Sequence, residues 1–132
     1  MNKLIDLLNR EVANFALLYT KLHQFHVLFE KLYDEMTENM DVVAERILML
    51  EGQPLSTLSD FLKFTTLKEG LGSETDMQMI NQIIYDFTTI DEELKEAIKV
   101  AQNLVDEVTV DILIGIDSAL QKHLWMLKSL ER

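Results

Sequence analysis

The chain has 132 residues, of which 48% are hydrophobic, and a formal net charge of −11. This length suits one ordinary domain, so we predict a single domain over residues 1–132. One proline and four glycines favour helices over strands or irregular structure. The lack of cysteine excludes disulfides and thiolate metal sites and is typical of a reducing cytoplasm, where we expect the protein.

The acidic charge argues against some partners. A negatively charged protein repels the phosphate backbone of DNA, and no Lys- or Arg-rich tail offsets this repulsion, so DNA binding is not expected. We expect no signal peptide, because residues 1–10 mix apolar residues with Asp6 and Arg10. We also expect no membrane contact, because no uncharged apolar run is long enough to cross a bilayer. The charge serves either solubility or the attraction of cations.

Apolar or aromatic residues recur at intervals of three and four over the first third of the chain, which is the period of one helical face. These positions are Leu4, Leu8, Val12, Phe15, Tyr19, Leu22, His26, Phe29, Tyr33, Met36, Met40, Val43 and Ile47. Neither glycine nor proline interrupts residues 1–51. Gly52 can then supply a left-handed C-cap before Pro54.

Residues 53–73 break this pattern, and Ser59 is a candidate cap for one or two short turns within them. A further helix is predicted over about residues 74–103. Asp106 is the expected N-cap of the last helix, residues 107–130. The apolar stripe of that helix is predicted at Val108, Ile112, Ile116, Ala119, His123, Met126 or Leu127, and Leu130.

The connections between the predicted helices indicate a topology. The last two helices are joined by a short segment and should lie antiparallel, whereas the connection before them has about 20 residues and its own short helix. One long crossover within a bundle is the ferritin-like arrangement. We therefore predict an all-α, ferritin-like four-helix bundle with one long crossover.

Four residues beside the first apolar stripe are candidate metal ligands: His26, Glu30, Asp41 and Glu45. The two pairs have i, i+4 spacing, so the members of each pair point the same way, and all four fall within an arc of about 100°. Imidazole with carboxylates suits iron, manganese or zinc. His26 and Asp41 would be about 22 Å apart along one helix, so they cannot share a metal within one chain.

Pairing between two copies of the chain removes this difficulty. Two antiparallel copies that cross near residues 35–36 would place His26 and Glu30 of one chain against Asp41 and Glu45 of the other. The site would then lie between subunits and occur in symmetric pairs. The alternative is that the carboxylates are solvated helix-face charges and His26 is a half-buried histidine. His23, one turn from His26, is a weaker candidate, and His123 is interpreted as structural.

Much of the sequence resembles the Dps-type mini-ferritins. Residues 8–14 and 18–26 are similar to the first helix of that family, residues 29–35 and 40–48 to the second, and residues 106–111 and 122–128 to the last. The resemblance extends over essentially the whole chain. Its most specific element is the Asp-x-x-Ala-Glu-Arg pattern at residues 41–46.

The resemblance implies a function and a ligand set. In that family a ferroxidase site lies between two-fold-related subunits, peroxide or oxygen oxidises the iron, and mineral is stored inside a twelve-subunit shell. One subunit supplies two histidines and an acidic residue, and Glu30 matches that acidic ligand. The other subunit supplies the Asp and Glu that match Asp41 and Glu45.

One segment departs from the family pattern. The family has a His-Trp pair, a glycine-containing loop and a second ligand histidine, whereas about a dozen such residues are missing between Phe25 and Val27. His26 stands in place of both histidines. A natural or engineered loop deletion accounts for this difference, as does the omission of a disordered segment from the sequence.

The shortened segment also affects the predicted fold. Residues 21–32 contain no glycine, proline or asparagine, which are the usual residues of a tight turn. We therefore predict that the first two family helices are fused into one, about residues 3–50. Such a helix would expose half of its apolar stripe, which favours exchange of the first-helix segment between protomers.

Together these features predict an iron-binding homo-oligomer that oxidises and stores iron and protects against oxidative stress. The missing histidine predicts impaired ferroxidase activity. The alternative is a catalytically inactive helical assembly, or an engineered cage derived from a Dps-like protein.

Overall fold

The computed structural model describes the backbone of residues 1–23, 26–69 and 74–130, and the side chains of these residues except 20–23 and 26–29. Within these ranges every regular element is a helix, which confirms the all-α class, and none of the helices is long and apolar enough to span a membrane. Contacts divide the chain into two compact units, residues 1–70 and 71–132. The helices are α1 (Asn2–His23), α2 (His26–Met49), α3 (Leu58–Phe64), α4 (Asp76–Asn103) and α5 (Glu107–Ser129).

In the first unit, α1 and α2 pack as an antiparallel pair, so the predicted single helix over residues 3–50 is wrong. The rings of Tyr19 and Tyr33 meet edge to face with their centroids 5.7 Å apart, whereas a continuous helix would separate the two residues by about 21 Å. At the other end of the pair, Asn9 donates from Nδ2 to the carbonyl oxygen of Gln53 at 3.2 Å. The two residues that join the helices lie outside the described residues.

The apolar stripe explains why the fused-helix prediction was wrong. An unbroken spacing of threes and fours describes one long helix and two helices whose stripes face each other equally well. Because α1 and α2 pack together, most of the described stripe residues are covered within one chain, and the predicted segment exchange between protomers is also wrong. The buried stripe residues include Leu4, Leu8, Val12, Phe15, Tyr33, Met36, Val43 and Ile47.

The chain needs a glycine at position 52, after the end of α2, but not as the left-handed C-cap that the sequence predicts. The left-handed residue is Glu51, with φ 64°, and not Gly52. A Cβ atom on Gly52 would lie 2.9 Å from Cδ1 of Ile5 and 3.0 Å from Cγ2 of Ile47. Glycine at this position therefore permits close approach between the start of α1 and the end of α2.

The short helix α3 begins two residues earlier than its predicted cap implied. Thr57 is the N-cap, and its hydroxyl accepts a hydrogen bond from the Asp60 backbone N–H at 3.1 Å. Ser59, the predicted cap, lies inside the helix. The helix packs against α1.

Two buried asparagines of α1 hold the segments on either side of α3. Oδ1 of Asn9 accepts from the Leu55 N–H at 3.0 Å. Asn14 has no exposed surface, and its Oδ1 accepts from the Thr65 hydroxyl at 2.6 Å and from the Thr66 N–H at 3.1 Å. Its Nδ2 donates to the Thr66 hydroxyl at 3.0 Å. The beginning of the long crossover is thereby fixed on α1.

In the second unit, side chains cap the starts of both helices. Thr75 and Gln78 form a capping box at the start of α4, which satisfies backbone N–H groups that have no partner within the helix. Asp106 is the N-cap of α5, as predicted, and its Oδ1 accepts from the Thr109 N–H at 3.1 Å. Both helix starts thus follow from local sequence.

The buried face of α5 differs from the predicted stripe. Val108 and Leu130, both predicted to face the core, are 56% and 52% exposed. Of the two alternatives Met126 and Leu127, Leu127 is buried and Met126 is 50% exposed. Trp125 is also exposed, so apolar residues occupy more than one face of α5 and periodicity alone does not identify the core side. The residues that are buried are Thr109, Leu113, Ile116, Asp117, Leu120, Leu124 and Leu127.

The turn between α4 and α5 contains a strained residue. Val105 has φ 55° and its side chain is 77% exposed. The next N–H, of Asp106, donates to the Ala101 carbonyl oxygen at 2.9 Å and closes the end of α4. A β-branched residue rarely adopts a positive φ, because its Cβ is crowded there.

Removing the Asn14 contacts should destabilise the fold. Asn14→Ala removes a fully buried side chain that accepts from the Thr65 hydroxyl and the Thr66 N–H and donates to the Thr66 hydroxyl. We expect the free energy of unfolding to fall by about 2–3 kcal/mol, because each lost hydrogen bond contributes about 1 kcal/mol. Denaturant titration at fixed protein concentration measures this change. Asn81→Ala, at an exposed position of α4, is the control and should change stability little. Equal losses in the two variants would contradict the assigned role of Asn14.

Relieving the strain at Val105 should stabilise the protein. Asparagine tolerates the left-handed region better than valine, so Val105→Asn is expected to raise the free energy of unfolding by about 1 kcal/mol. Val108→Asn makes the same exchange at an exposed helical position and should give no gain. If both variants have the same thermal midpoint as the wild type, Val105 does not store strain.

Candidate metal centre

The four predicted ligands all lie on α2. His26 is its first residue, and the side chain of His26 lies outside the described residues. Glu30, Asp41 and Glu45 are exposed. Asp41 and Glu45 form no hydrogen bond or ion pair within the described part of the chain, so their carboxylates are available to a ligand.

One chain does not gather these residues into one site. Glu30 and Asp41 are separated by about 17 Å along α2. Among the residues whose side chains are described, no three histidine or acidic side chains are close enough to hold a metal. Asp41 and Glu45 are one turn apart on α2, and so are the positions of His26 and Glu30. That they combine between two chains stays a prediction.

The first pair lies close to the tyrosine contact between α1 and α2. Burial raises the pKa of Tyr33, and the charges of Glu30, Asp34 and Tyr19 raise it further. The Glu30 carboxylate thus acts electrostatically on a ring that packs against Tyr19. Tyr33 therefore stays protonated at neutral pH beside the candidate ligand.

An apolar groove of about 570 Å³ opens next to the carboxylates. Thr37 and Met40 of α2 contribute to it, and Thr37 lies within about 40° of both Glu30 and Asp41 around the helix axis. The groove, Glu30 and Asp41 therefore share one side of α2. Residues of α1 and α3 complete the lining, including Leu17, Tyr19, Leu58, Phe61 and Leu62.

Comparison of the sequence with known proteins identifies its family. Residues 5–132 match the family model of the ferritin-like domain. The DNA protection during starvation protein 2 of Bacillus anthracis is 39% identical over 142 aligned positions, which cover 98% of this chain and 97% of that protein. This chain belongs to the Dps-type mini-ferritins. General stress protein 20U of Bacillus subtilis is also 39% identical, with 96% of each chain covered.

Solved structures agree with the family assignment. Dps from Staphylococcus aureus superposes with a TM-score of 0.95 at 37% identity, over 98% of this chain and 95% of that one. Dps from Bacillus brevis gives 0.95 at 38% identity, over 99% and 96%. The predicted ferritin-like fold is confirmed.

The alignments also show that this mini-ferritin is shorter internally than a relative. The alignment to the Bacillus anthracis protein has 142 positions and this chain has 132 residues, so at least ten positions of that protein have no counterpart here. The segment missing between the first two family helices predicts such a gap. The structure accommodates it, because α1 ends at His23 and α2 begins at His26.

Two further polar features lie in the second unit. The ring of His123, predicted to be structural, packs against that of Phe87 with centroids 6.5 Å apart. Sequence reasoning missed the acidic residues Asp91 and Asp117, which approach each other between α4 and α5. They lie on different helices, so no spacing rule pairs them.

Proposed function

We propose that this mini-ferritin binds ferrous iron between two subunits, oxidises it to ferric iron, and stores the product as part of protection against oxidative stress. His26 and Glu30 of one subunit and Asp41 and Glu45 of the other are the proposed ligands. Iron is the substrate and cargo of this site. Imidazole and carboxylate oxygen are ligand types that suit iron.

The symmetric spacing of the two pairs along α2 carries this proposal. His26 precedes the midpoint between residues 35 and 36 by the same distance as Glu45 follows it, and Glu30 and Asp41 are related in the same way. An antiparallel crossing at that midpoint therefore places each residue of one pair against the other pair. A two-fold axis generates two equal sites at once.

The apolar groove supports a second copy of the chain as the partner. It lies on the side of α2 that carries the carboxylates, and Leu58, Leu62 and Phe64 of α3 are 67%, 43% and 39% exposed. A patch of exposed apolar side chains beside a polar ligand set is typical of an interface. We therefore propose a homo-oligomer built around this two-fold contact.

The carboxylate ligands favour the oxidation of bound iron. The three carboxylates offset the positive charge of iron, and this stabilises the ferric product more than the ferrous substrate. The electron passes to peroxide or oxygen. Packing of a second copy over the groove excludes bulk water from the reacting metal. With one histidine fewer than the family pattern, we expect weaker binding and slower oxidation.

The remaining assignments follow from the same evidence. We propose that residues 1–132 form a single ferritin-like domain, because one family model spans residues 5–132. We also propose a cytoplasmic location, for which the absence of cysteine is the support.

A complementation experiment tests the shared site. Glu30→Gln and Glu45→Gln each damage both sites of a two-fold pair. A mixed pair contains one subunit of each variant. In such a pair the two substitutions fall in the same site, and the other site keeps all of its ligands. Equal co-expression should therefore restore ferrous iron oxidation to about one quarter of the wild-type rate, since half of the pairs are mixed and each has one intact site of two.

The matched control co-expresses Glu45→Gln with Asp41→Asn. Both changes affect the same half-site, so no mixed pair contains an intact site and the rate should stay at the level of the single variants. Equal rates in the two mixtures would contradict the intersubunit site. A correctly assembled wild type that oxidises no iron would instead support a catalytically inactive helical assembly.

DNA binding is a separate prediction. Several relatives bear the name DNA protection during starvation protein, but a net charge of −11 opposes contact with phosphates. We expect no retardation of duplex DNA in a gel-shift assay at physiological salt. Clear retardation under that condition would overturn this expectation.

A further inference from the structure

Two carboxyl groups approach each other between α4 and α5, in the second unit. The Gln121 side-chain amide donates to Oδ1 of Asp91 and to Oδ2 of Asp117, at 3.1 Å in each case. Asp117 is only 6% exposed. Its other oxygen, Oδ1, is buried and receives no hydrogen bond within the described part of the chain.

The nearby ammonium group of Lys95 forms an ion pair with only one of the two carboxyl groups. The Lys95 ammonium lies 3.1 Å from Oδ2 of Asp91 on the next turn of α4, so Asp91 has an ion-pair partner. Asp117 receives one neutral amide hydrogen bond and lies deeper. Burying an ionised carboxylate without a paired cation is costly, and protonation removes that cost.

We propose that Asp91 and Asp117 share one proton, held mainly by Asp117, and that this pair is a pH-sensitive latch between α4 and α5. With the proton in place, an O–H group of Asp117 donates to the Asp91 carboxylate. When the proton is lost, two negative charges face each other in a buried seam, and the seam loosens.

The electrostatics of both groups support this arrangement. Burial, followed by the hydrogen bond and the charge of Asp91, raises the pKa of Asp117 to about 7. For Asp91, burial acts in the opposite direction, but hydrogen bonds from Asp117, Gln121 and Lys95 lower its pKa. The two pKa values are thus displaced in opposite directions, as in a carboxyl pair that shares one proton.

Few groups act on the pair among the described residues 74–130 of this unit. On α4 they are Asp91 and Lys95, whose own pKa is raised first by its hydrogen bond to Asp91 and further by charges that include Glu92. On α5, Gln121 is the polar neighbour. His123 lies two residues further along and packs against Phe87 instead.

The direction of the pH effect follows from linkage. Between the ordinary pKa of 3.8 and the folded value of about 7, the folded chain holds a proton that the unfolded chain has released. This contribution to stability is complete below the unfolded pKa and falls as pH rises through the window, with no further change above it. The lowered pKa of Asp91 has the opposite effect. Its contribution to stability is present at neutral pH and is lost as the pH falls through its folded pKa.

Infrared spectroscopy of the assembled protein tests the shared proton directly. The pair is reported by the carboxylic-acid C=O band that the wild type has and Asp117→Asn lacks, because the other buried carboxyl groups, Glu11 and Asp86, are common to both proteins. We expect this band at pH 6 in the wild type, its loss by pH 8, and its absence in Asp117→Asn. Asp111→Asn, an exposed change on the same helix, is the control and should retain the band. A wild type without the band at pH 6 would overturn the proposal.

Lys95 provides a second test through a variant that should fold, because its side chain is 57% exposed. Lys95→Met removes a cation that lowers the pKa of Asp117, so the loss of the band should move to higher pH. Lys99→Met, one turn further along α4, should leave the midpoint unchanged. Equal midpoints in the two variants would contradict the latch.

The effect on stability gives an independent measure. The unfolding equilibrium constant of the wild type, relative to that of Asp117→Asn, should rise by up to about tenfold per pH unit between pH 5 and 7 at fixed protein concentration. If the unfolding equilibrium constants of the two proteins change with pH in parallel, the proton on Asp117 does not stabilise the packing of α4 against α5.

Discussion

The antiparallel packing of α1 against α2 is the constraint on which the proposed site depends. It covers most of the described residues of the apolar stripe within one chain, and it leaves Glu30, Asp41 and Glu45 exposed beside that stripe. Gly52 allows the helix ends to approach closely, and Asn14 fixes the crossover on α1. The groove between the three helices of this unit therefore opens beside the candidate ligands.

Local signals in the sequence were sufficient where a cap or a break determines the structure. Asp106 was predicted as the cap of α5 because its carboxylate satisfies the first N–H groups of a helix, and it does so. The reversal between α1 and α2 was missed, because the apolar spacing continues across it and no glycine or proline marks it. The choice between one helix and two was decided by burial of the stripe, which is a tertiary effect.

The buried face of α5 was missed for a related reason. Its exposed apolar residues, such as Trp125 and Met126, give the same periodic signal as a core stripe. Conversely, Asp117 is buried although its chemistry predicts exposure, and its partner Asp91 belongs to another helix. The candidate ligands Asp41 and Glu45 were found because they lie on one helix at i, i+4 spacing, where sequence distance translates directly into geometry.

The proposed function requires each chain to contribute half of a metal site that a second copy completes. The most direct measurement is a crystal structure of the assembly loaded with ferrous iron, with iron located by its anomalous scattering. We predict iron between Glu30 of one subunit and the Asp41 and Glu45 carboxylates of another, with a second site related by the two-fold axis. Iron bound by residues of a single subunit, or bound away from all three carboxylates, would contradict the account.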